Sequence, residues 1–204
     1  MILCAGLGTR LKPLTDTMPK ALVSVGGQTL LDHTVNRLMS SQLLDTGGAL
    51  KHAAPLFSDA EPILIHNVDI LDNVDYDWFA HQHQPQSDAV LLVSQRPSSR
   101  HLLFDNDMRL AGWENVETGE RRGPITQHPS ANVHPFAFSG IHSFSPRLFA
   151  LMQDFPARFS IIDFYLSVCS HARIVGCESR LLRLLDVGKL SSLAQAEQFL
   201  AIDN

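Results

Sequence analysis

The sequence predicts an α/β fold with a mostly parallel central sheet covered on both faces. Three observations carry that expectation. Short continuous apolar runs recur along the chain, as strands buried on both faces require. Stretches with helical periodicity stand between them. The first run leads straight into a glycine-rich turn, the start of a strand–turn–helix unit.

Residues 1–5 (Met-Ile-Leu-Cys-Ala) are the first buried strand, and residues 30–39 are helical after a turn at Gly26 and Gly27. Residues 62–66 (Pro-Ile-Leu-Ile-His) give a second buried strand that ends in Asn67, Val68 and Asp69. Residues 89–94 give a third, rich in Val and Leu. A further strand is expected over 136–144, a helix over 146–152 and a C-terminal helix over 193–202. The polar stretch 117–135, with its Gly, Pro and His residues, is expected to be a long loop over the site. The 204 residues suit a single domain, 1–204.

Composition narrows the function. Hydrophobic residues make up 45% and charged residues 18%, enough apolar side chain for a sizeable core. A formal net charge of -5 argues against a nucleic-acid partner, although a local basic pocket is compatible with it. Cys4, Cys169 and Cys177 are scattered and have no metal-type spacing, so a reducing cytoplasm is the simplest setting. No run of 18 apolar residues predicts a membrane span, and the first residues lack the charged start of a signal peptide.

Residues 4–23 read Cys-Ala-Gly-Leu-Gly-Thr-Arg-Leu-Lys-Pro-Leu-Thr-Asp-Thr-Met-Pro-Lys-Ala-Leu-Val. Gly6 and Gly8 allow a tight turn whose successive N–H groups form a concavity for an anion. Arg10, Lys12 and Lys20 follow, and Arg10 can fork onto phosphate oxygens. A dinucleotide fingerprint is excluded because Leu11 fills its third glycine position. An ordinary glycine-rich turn flanked by solvated cations stays open on these residues alone.

The longer string Gly6-x-Gly8-Thr9-Arg10-Leu11-x-Pro13-Leu14-Thr15-x-x-x-Pro19-Lys20-x-Leu22-x-x-Val25 resembles the signature of the nucleotidyltransferase family of sugar-nucleotide pyrophosphorylases. The resemblance implies a three-layer, Rossmann-like (GT-A-like) nucleotidyltransferase fold. It implies that Ala5, Gly6, Gly8 and Thr9 cradle a nucleoside triphosphate while Arg10 and Lys20 stabilise its phosphates. Residues 44–50 (Leu-Asp-Thr-Gly-Gly-Ala-Leu) resemble the segment that lines the nucleobase pocket, which assigns Thr46, Gly47 and Gly48 to the nucleotide. A plain helix cap at Asp45 or Thr46 fits the same residues.

Asp69 follows a buried strand, at the edge where open α/β sheets bind ligands. Leu184-Leu185-Asp186-Val187-Gly188 resembles the family's late Asp-x-Gly motif. The resemblance makes Asp69 and Asp186 the ligands of a Mg²⁺, a hard cation suited to carboxylate and phosphate oxygens. Either residue alone could instead cap a turn or helix. The family has glycine where Val68 stands here, which is expected to narrow the pocket. Phe138-Ser139-Gly140-Ile141-His142 resembles the sugar-binding strand, with Gly140 leaving room for the ring. Asn67 and Asp163 are assigned to the sugar on the same ground, with Ser160 replacing the usual acid. Residues 99–113 resemble a hairpin and are read as structure. His128, His134 and His142 are read as solvated or core histidines.

The implied reaction joins a nucleoside triphosphate to a sugar-1-phosphate and releases pyrophosphate. The short chain resembles the mannose-1-phosphate guanylyltransferase and N-acetylmuramate-1-phosphate uridylyltransferase branch. A choline-phosphate cytidylyltransferase of the same family, or a non-catalytic sugar-nucleotide-binding relative, is the alternative. A nucleotide-sugar glycosyltransferase is disfavoured because no Asp-x-Asp follows the 62–66 strand. The family also carries a strand–helix–strand unit, roughly 30 residues or more, before Leu44. Here Ser40-Ser41-Gln42-Leu43 bridges the interval directly, so residues are expected to be missing between Ser41 and Gln42.

Overall fold

A computed structural model describes residues 24–29, 44–58, 61–127, 132–187, 195–196 and 198–199. The expected strand at 1–5, the glycine turn with Arg10 and Lys20, the helix at 30–39 and the Ser41–Gln42 junction lie outside the described residues. Of the expected C-terminal helix, residues 195–196 and 198–199 are helical. The chain divides into two compact units, Met1–Asp45 and Thr46–Asn204. In the first, strands β1 (Ser24–Val25) and β2 (Gln28–Thr29) pair antiparallel around Gly26 and Gly27.

Further along, helix α1 (Asp45–Ala53) runs into a 3₁₀ turn, Ala54–Leu56. Strands β3 (Ile63–His66) and β4 (Ile70–Asp72), helix α2 (Tyr76–Ala80) and strand β5 (Ala89–Ser94) follow. Strands β6 (Arg100–Phe104), β7 (Leu110–Asn115) and β8 (Arg121–Arg122) form a meander that leads to the long β9 (His134–Phe144). A 3₁₀ helix (Pro146–Met152), helix α3 (Ile161–Val168) and strands β10 (Ile174–Glu178) and β11 (Leu184–Asp186) complete the order.

The main sheet has the order β10-β5-β9-β6-β7-β8, and β3 also pairs with β9. Among the described residues only β5 and β10 are parallel; every other pair is antiparallel. The expected α/β fold is present, but the sheet is mixed rather than mostly parallel. The turns give the physical reason. Met108 N–H donates to Asp105 O and Gly119 N–H to Asn115 O, so β6–β7 and β7–β8 are joined by tight reversals, which permit only antiparallel neighbours.

Burial on both faces is clear in β5. Ala89, Leu91 and Val93 join a large cluster with Phe104, Phe144, Phe164 and Tyr165. Val90 and Leu92 point the other way, onto Phe79 of α2 and Ile141. The period-2 alternation thus feeds two cores from one strand. Helix α3 carries Phe164 and Tyr165 into the first core and α2 carries Phe79 into the second, which yields three layers.

Two contacts fix the helices. The N–H groups of Gly47 and Gly48 both donate to Phe159 O, at 3.0 and 3.2 Å, and Ile161 N–H donates to Thr46 Oγ1 at 3.0 Å. The start of α1 is thereby docked onto the start of α3, whose cap is the Ser160 hydroxyl accepting from Ile162 N–H. A Cβ on Gly47 would stand 2.4 Å from a ring carbon of Phe159. Beneath, His142 Nδ1 and the Tyr165 hydroxyl share a 2.6 Å hydrogen bond, with both side chains buried.

Gly47→Ala should therefore destabilise the fold by about 1–3 kcal/mol through overpacking, seen as a lower urea midpoint; an unchanged midpoint would show that the docking is loose. Burial pushes the His142 imidazole from 6.5 down to about 3. Between those values the unfolded chain binds a proton that the folded chain refuses. The contribution of His142 is complete above pH 6.5 and is lost as the pH falls toward 3. His142→Phe should flatten the slope of unfolding free energy against pH between about 4 and 6 by up to roughly 1.4 kcal/mol per pH unit. Whatever the variant's absolute stability, an identical slope in both proteins would show that the imidazole is not held neutral.

Candidate active site

Strands β4 and β11 form a separate antiparallel ladder with the register Leu184↔Asp72, Leu185↔Leu71 and Asp186↔Ile70. One residue further, Val187 N–H donates to Asp69 O at 2.8 Å. Asp69 and Asp186, far apart in sequence, are thus brought to the same end of one ladder. Both are exposed there. Adjacent carboxylates repel unless a cation or other positive group lies between them.

Side chains lock this short ladder. Asn73 Nδ2 donates to Leu181 O at 3.2 Å, while its Oδ1 accepts from Arg183 N–H at 2.7 Å. The Asp72 carboxylate accepts from Val74 N–H and the Tyr76 hydroxyl and lies 2.7 Å from His66 Nε2. Burial, with Asp72 adding to it, pushes the Tyr76 hydroxyl well above its ordinary pKa and keeps it a donor. His66 of β3 is thereby tied to β4, and the loop carrying Asn67, Val68 and Asp69 is held at both ends.

Asn67 and Gly140 are also brought together. Asn67 N–H donates to Gly140 O at 3.1 Å, and Gly140 has φ +80°. A Cβ there would lie 2.8 Å from Asn67 Nδ2, so the room above Gly140 is filled by Asn67 itself rather than left for a sugar ring. Gly47 and Gly48 depart from the sequence reading in a similar way. Both are buried and approach Phe159, in the place that reading gave to a base. Val68 is 99% exposed and narrows no cavity among the described residues.

A cavity of about 780 Å³ opens where Asp186 stands. Its wall includes Arg96, Arg100, Trp113, Glu120, Arg122 and Phe138, with Ser160 and Ile162 of the α3 region. Arg96 donates through Nη2 to Phe138 O at 3.0 Å; burial lowers its pKa, and the nearby Asp186 charge works against that shift. Arg122 lies over the Trp113 ring, 3.9 Å from the centroid, and pairs with Asp163. Asp163 therefore meets the cavity through an arginine. The 99–113 hairpin, read as structure, supplies part of this wall. Arg96, Arg100 and Arg122 were not singled out from the sequence, where Arg100 lay in a stretch read only as structure and the other two outside any motif. Arg122 lies in the 117–135 stretch that was expected to be a long loop; the described part instead holds β8, a 3₁₀ turn at Pro124–Thr126 and the first residues of β9.

The histidines divide as expected where they are described: His142 is a core residue, and His134 is exposed with Nε2 3.0 Å from Asn106 Oδ1. His128 lies outside the described residues. Among the described residues no group of three or more His, Cys, Asp or Glu side chains is set to hold a metal ion. A metal reading rests on the Asp69–Asp186 pair.

Residues 1–47 match the sequence model of the family described as "Nucleotidyl transferase". The chain is 25% identical over 219 residues to the N-acetylmuramate alpha-1-phosphate uridylyltransferase of Caulobacter vibrioides, covering 86% of each protein. It is 28% identical over 113 residues to the enzyme of that name from Neisseria meningitidis, covering 37% of this chain and 48% of the relative. In fold it is similar to a UDP-glucose pyrophosphorylase complexed with UDP-glucose (TM-score 0.59, 14% identity, 98% and 97% of the two chains). It is likewise similar to the inositol-1-phosphate CTP transferase of T. maritima (TM-score 0.59, 12% identity, 97% and 92%). Its first 47 residues thus match the nucleotidyl transferase model, and its fold is similar to those of solved nucleotidyltransferases.

Proposed function

We propose that this chain condenses a nucleoside triphosphate with a sugar-1-phosphate, giving a nucleotide-sugar and pyrophosphate. The observation that supports the reading within the site is the β4–β11 ladder, which brings the backbone of Asp69 to the strand end where Asp186 meets the cavity. Exposed carboxylates at the ends of two neighbouring strands are donors of the kind a hard divalent cation prefers. Asp69 and Asp186 would hold Mg²⁺, which when bound draws charge from phosphate oxygens.

The phosphate oxygen of the sugar phosphate attacks the α-phosphorus of the nucleotide, and the bond to the leaving pyrophosphate breaks. The attacking oxygen is already anionic, so no side chain need remove a proton. What remains for the protein is positioning and charge stabilisation. Arg10 and Lys20 are assigned to the triphosphate on the resemblance of the N-terminal string, in which Ala5, Gly6, Gly8 and Thr9 are assigned to the cradling turn. By the same resemblance Thr46 belongs to this nucleotide side, and Asn67 and Asp163 to the sugar side, with Gly140 holding Asn67 rather than the ring. Asn67 is held by its backbone bond to Gly140, and Asp163 acts through Arg122. A cytoplasmic location agrees with the unpaired thiols of Cys169 and Cys177.

Pyrophosphate release from a matrix of nucleoside triphosphates and sugar-1-phosphates, N-acetylmuramate 1-phosphate among them, tests the assignment. Asp69→Ala and Asp186→Ala should each lower kcat by about a hundredfold or more. The fold should persist, because both side chains are exposed. Near-normal turnover in both variants would defeat the metal assignment, and no release with any pair would defeat the transferase reading.

A further inference from the structure

We infer that Arg100 and Arg122 read a second negative charge on the sugar phosphate, apart from the phosphate that reacts. The inference rests on the transferase reading and names the class of sugar it takes: one bearing an additional anionic oxygen group. The strand register gathers the reader. Arg100 of β6 lies opposite Asn115 of β7, and Trp113 of β7 lies opposite both Leu102 of β6 and Arg122 of β8. Opposed residues share a face of the sheet, as do residues two apart on one strand. Arg100, Trp113, Asn115 and Arg122 therefore all face the cavity that Asp186 also lines. Two strand spacings, roughly 10 Å, separate β6 from β8 across β7.

The two guanidinium groups are held differently. Arg122 is fixed: its plane lies over Trp113, Asp163 takes one end, and Glu120 stands 3.5 Å from Nε. Nε itself is buried and makes no hydrogen bond. Arg100 has no side-chain hydrogen bond or ion pair among the described residues. A guanidinium has five donors and no acceptor, and its best partner is a carboxylate or phosphate bound through two oxygens. Sugar hydroxyls match it less well. An unpaired guanidinium on the β6–β8 wall, beside one fixed in advance on an aromatic ring, is suited to an acid carried elsewhere on the sugar.

Calorimetric binding separates the possibilities without needing turnover. The probes are N-acetylmuramate 1-phosphate (carboxylate), glucose 1,6-bisphosphate (second phosphate) and N-acetylglucosamine 1-phosphate (neutral apart from its phosphate). The wild-type protein should bind at least one of the first two roughly ten- to a hundredfold more tightly than the third. Whichever is preferred identifies the anion. In Arg100→Gln the preference should fall toward one, and Arg100→Lys should restore part of it. Arg122→Gln should lower the preference less, because its charge is already shared with Asp163 and Glu120. Equal binding of all three sugars by the wild type would overturn the inference, as would an undiminished preference in both glutamine variants. Should Arg122→Gln fail to fold, Arg100→Gln decides alone, since Arg100 is exposed. Absence of pyrophosphate release with every sugar would instead defeat the transferase reading and leave the binding preference to be scored separately.

Discussion

The site depends on one short pairing, that of β4 with β11. Three residue pairs define it, and a two-stranded ribbon of that size is marginal on its own. Hydrogen bonds from side chains make up the difference. Asn73 both donates to and accepts from the incoming β11 segment. Asp72 gathers Val74 N–H, the Tyr76 hydroxyl and the His66 ring, so β4 is anchored to β3 and α2 before β11 arrives. These residues beside the acids hold the ladder, and both Asp69 and Asp186 are exposed at its end.

Local sequence pattern showed where strands lie and how deeply they are buried. It did not show which way their neighbours run. The run at 89–94 was read as a strand buried on both faces, and its alternate residues do enter two separate cores. Burial on both faces is common in parallel sheets, but it follows equally when α2 and α3 cover an antiparallel one. Direction is set by the connections. The tight reversals at 105–108 and 115–119 lie in stretches whose hairpin character was partly recognised but not carried through to the sheet.

Glycines illustrate the same limit. Gly47 and Gly140 were each read as places where a missing side chain lets something come close, and each does sit against a close neighbour. The neighbour is the protein's own Phe159 in one case and Asn67 in the other. A glycine in sequence marks a close approach and leaves its partner unnamed, because the partner comes from a distant segment. That the backbone at 69 and 186 converges was easier to expect, since residues at strand ends gather at a sheet edge. Arg96, Arg100 and Arg122 were not legible, because no spacing relates them. They meet only through the register of β6, β7, β8 and β9.

That register also resolves an apparent conflict of charge. The chain carries a formal net charge of -5, yet its cavity has to admit an anionic substrate. Charges farther off than about 8 Å are largely screened at physiological salt, so the net value says little about the field within a cleft. What acts there is the local set: guanidinium groups at 96, 100 and 122 against carboxylates at 120 and 186. Arg96 lies close enough to Asp186 for the two charges to interact, and Arg122 is balanced by Asp163 and Glu120. The remaining positive charge is concentrated on β6, at the wall formed by the meander, while the Asp186 carboxylate stands on β11. The cavity is thus polarised from wall to wall. An anion entering it meets attraction from the arginine side and repulsion from the Asp186 carboxylate, so the arrangement of the strands orients what the cavity admits.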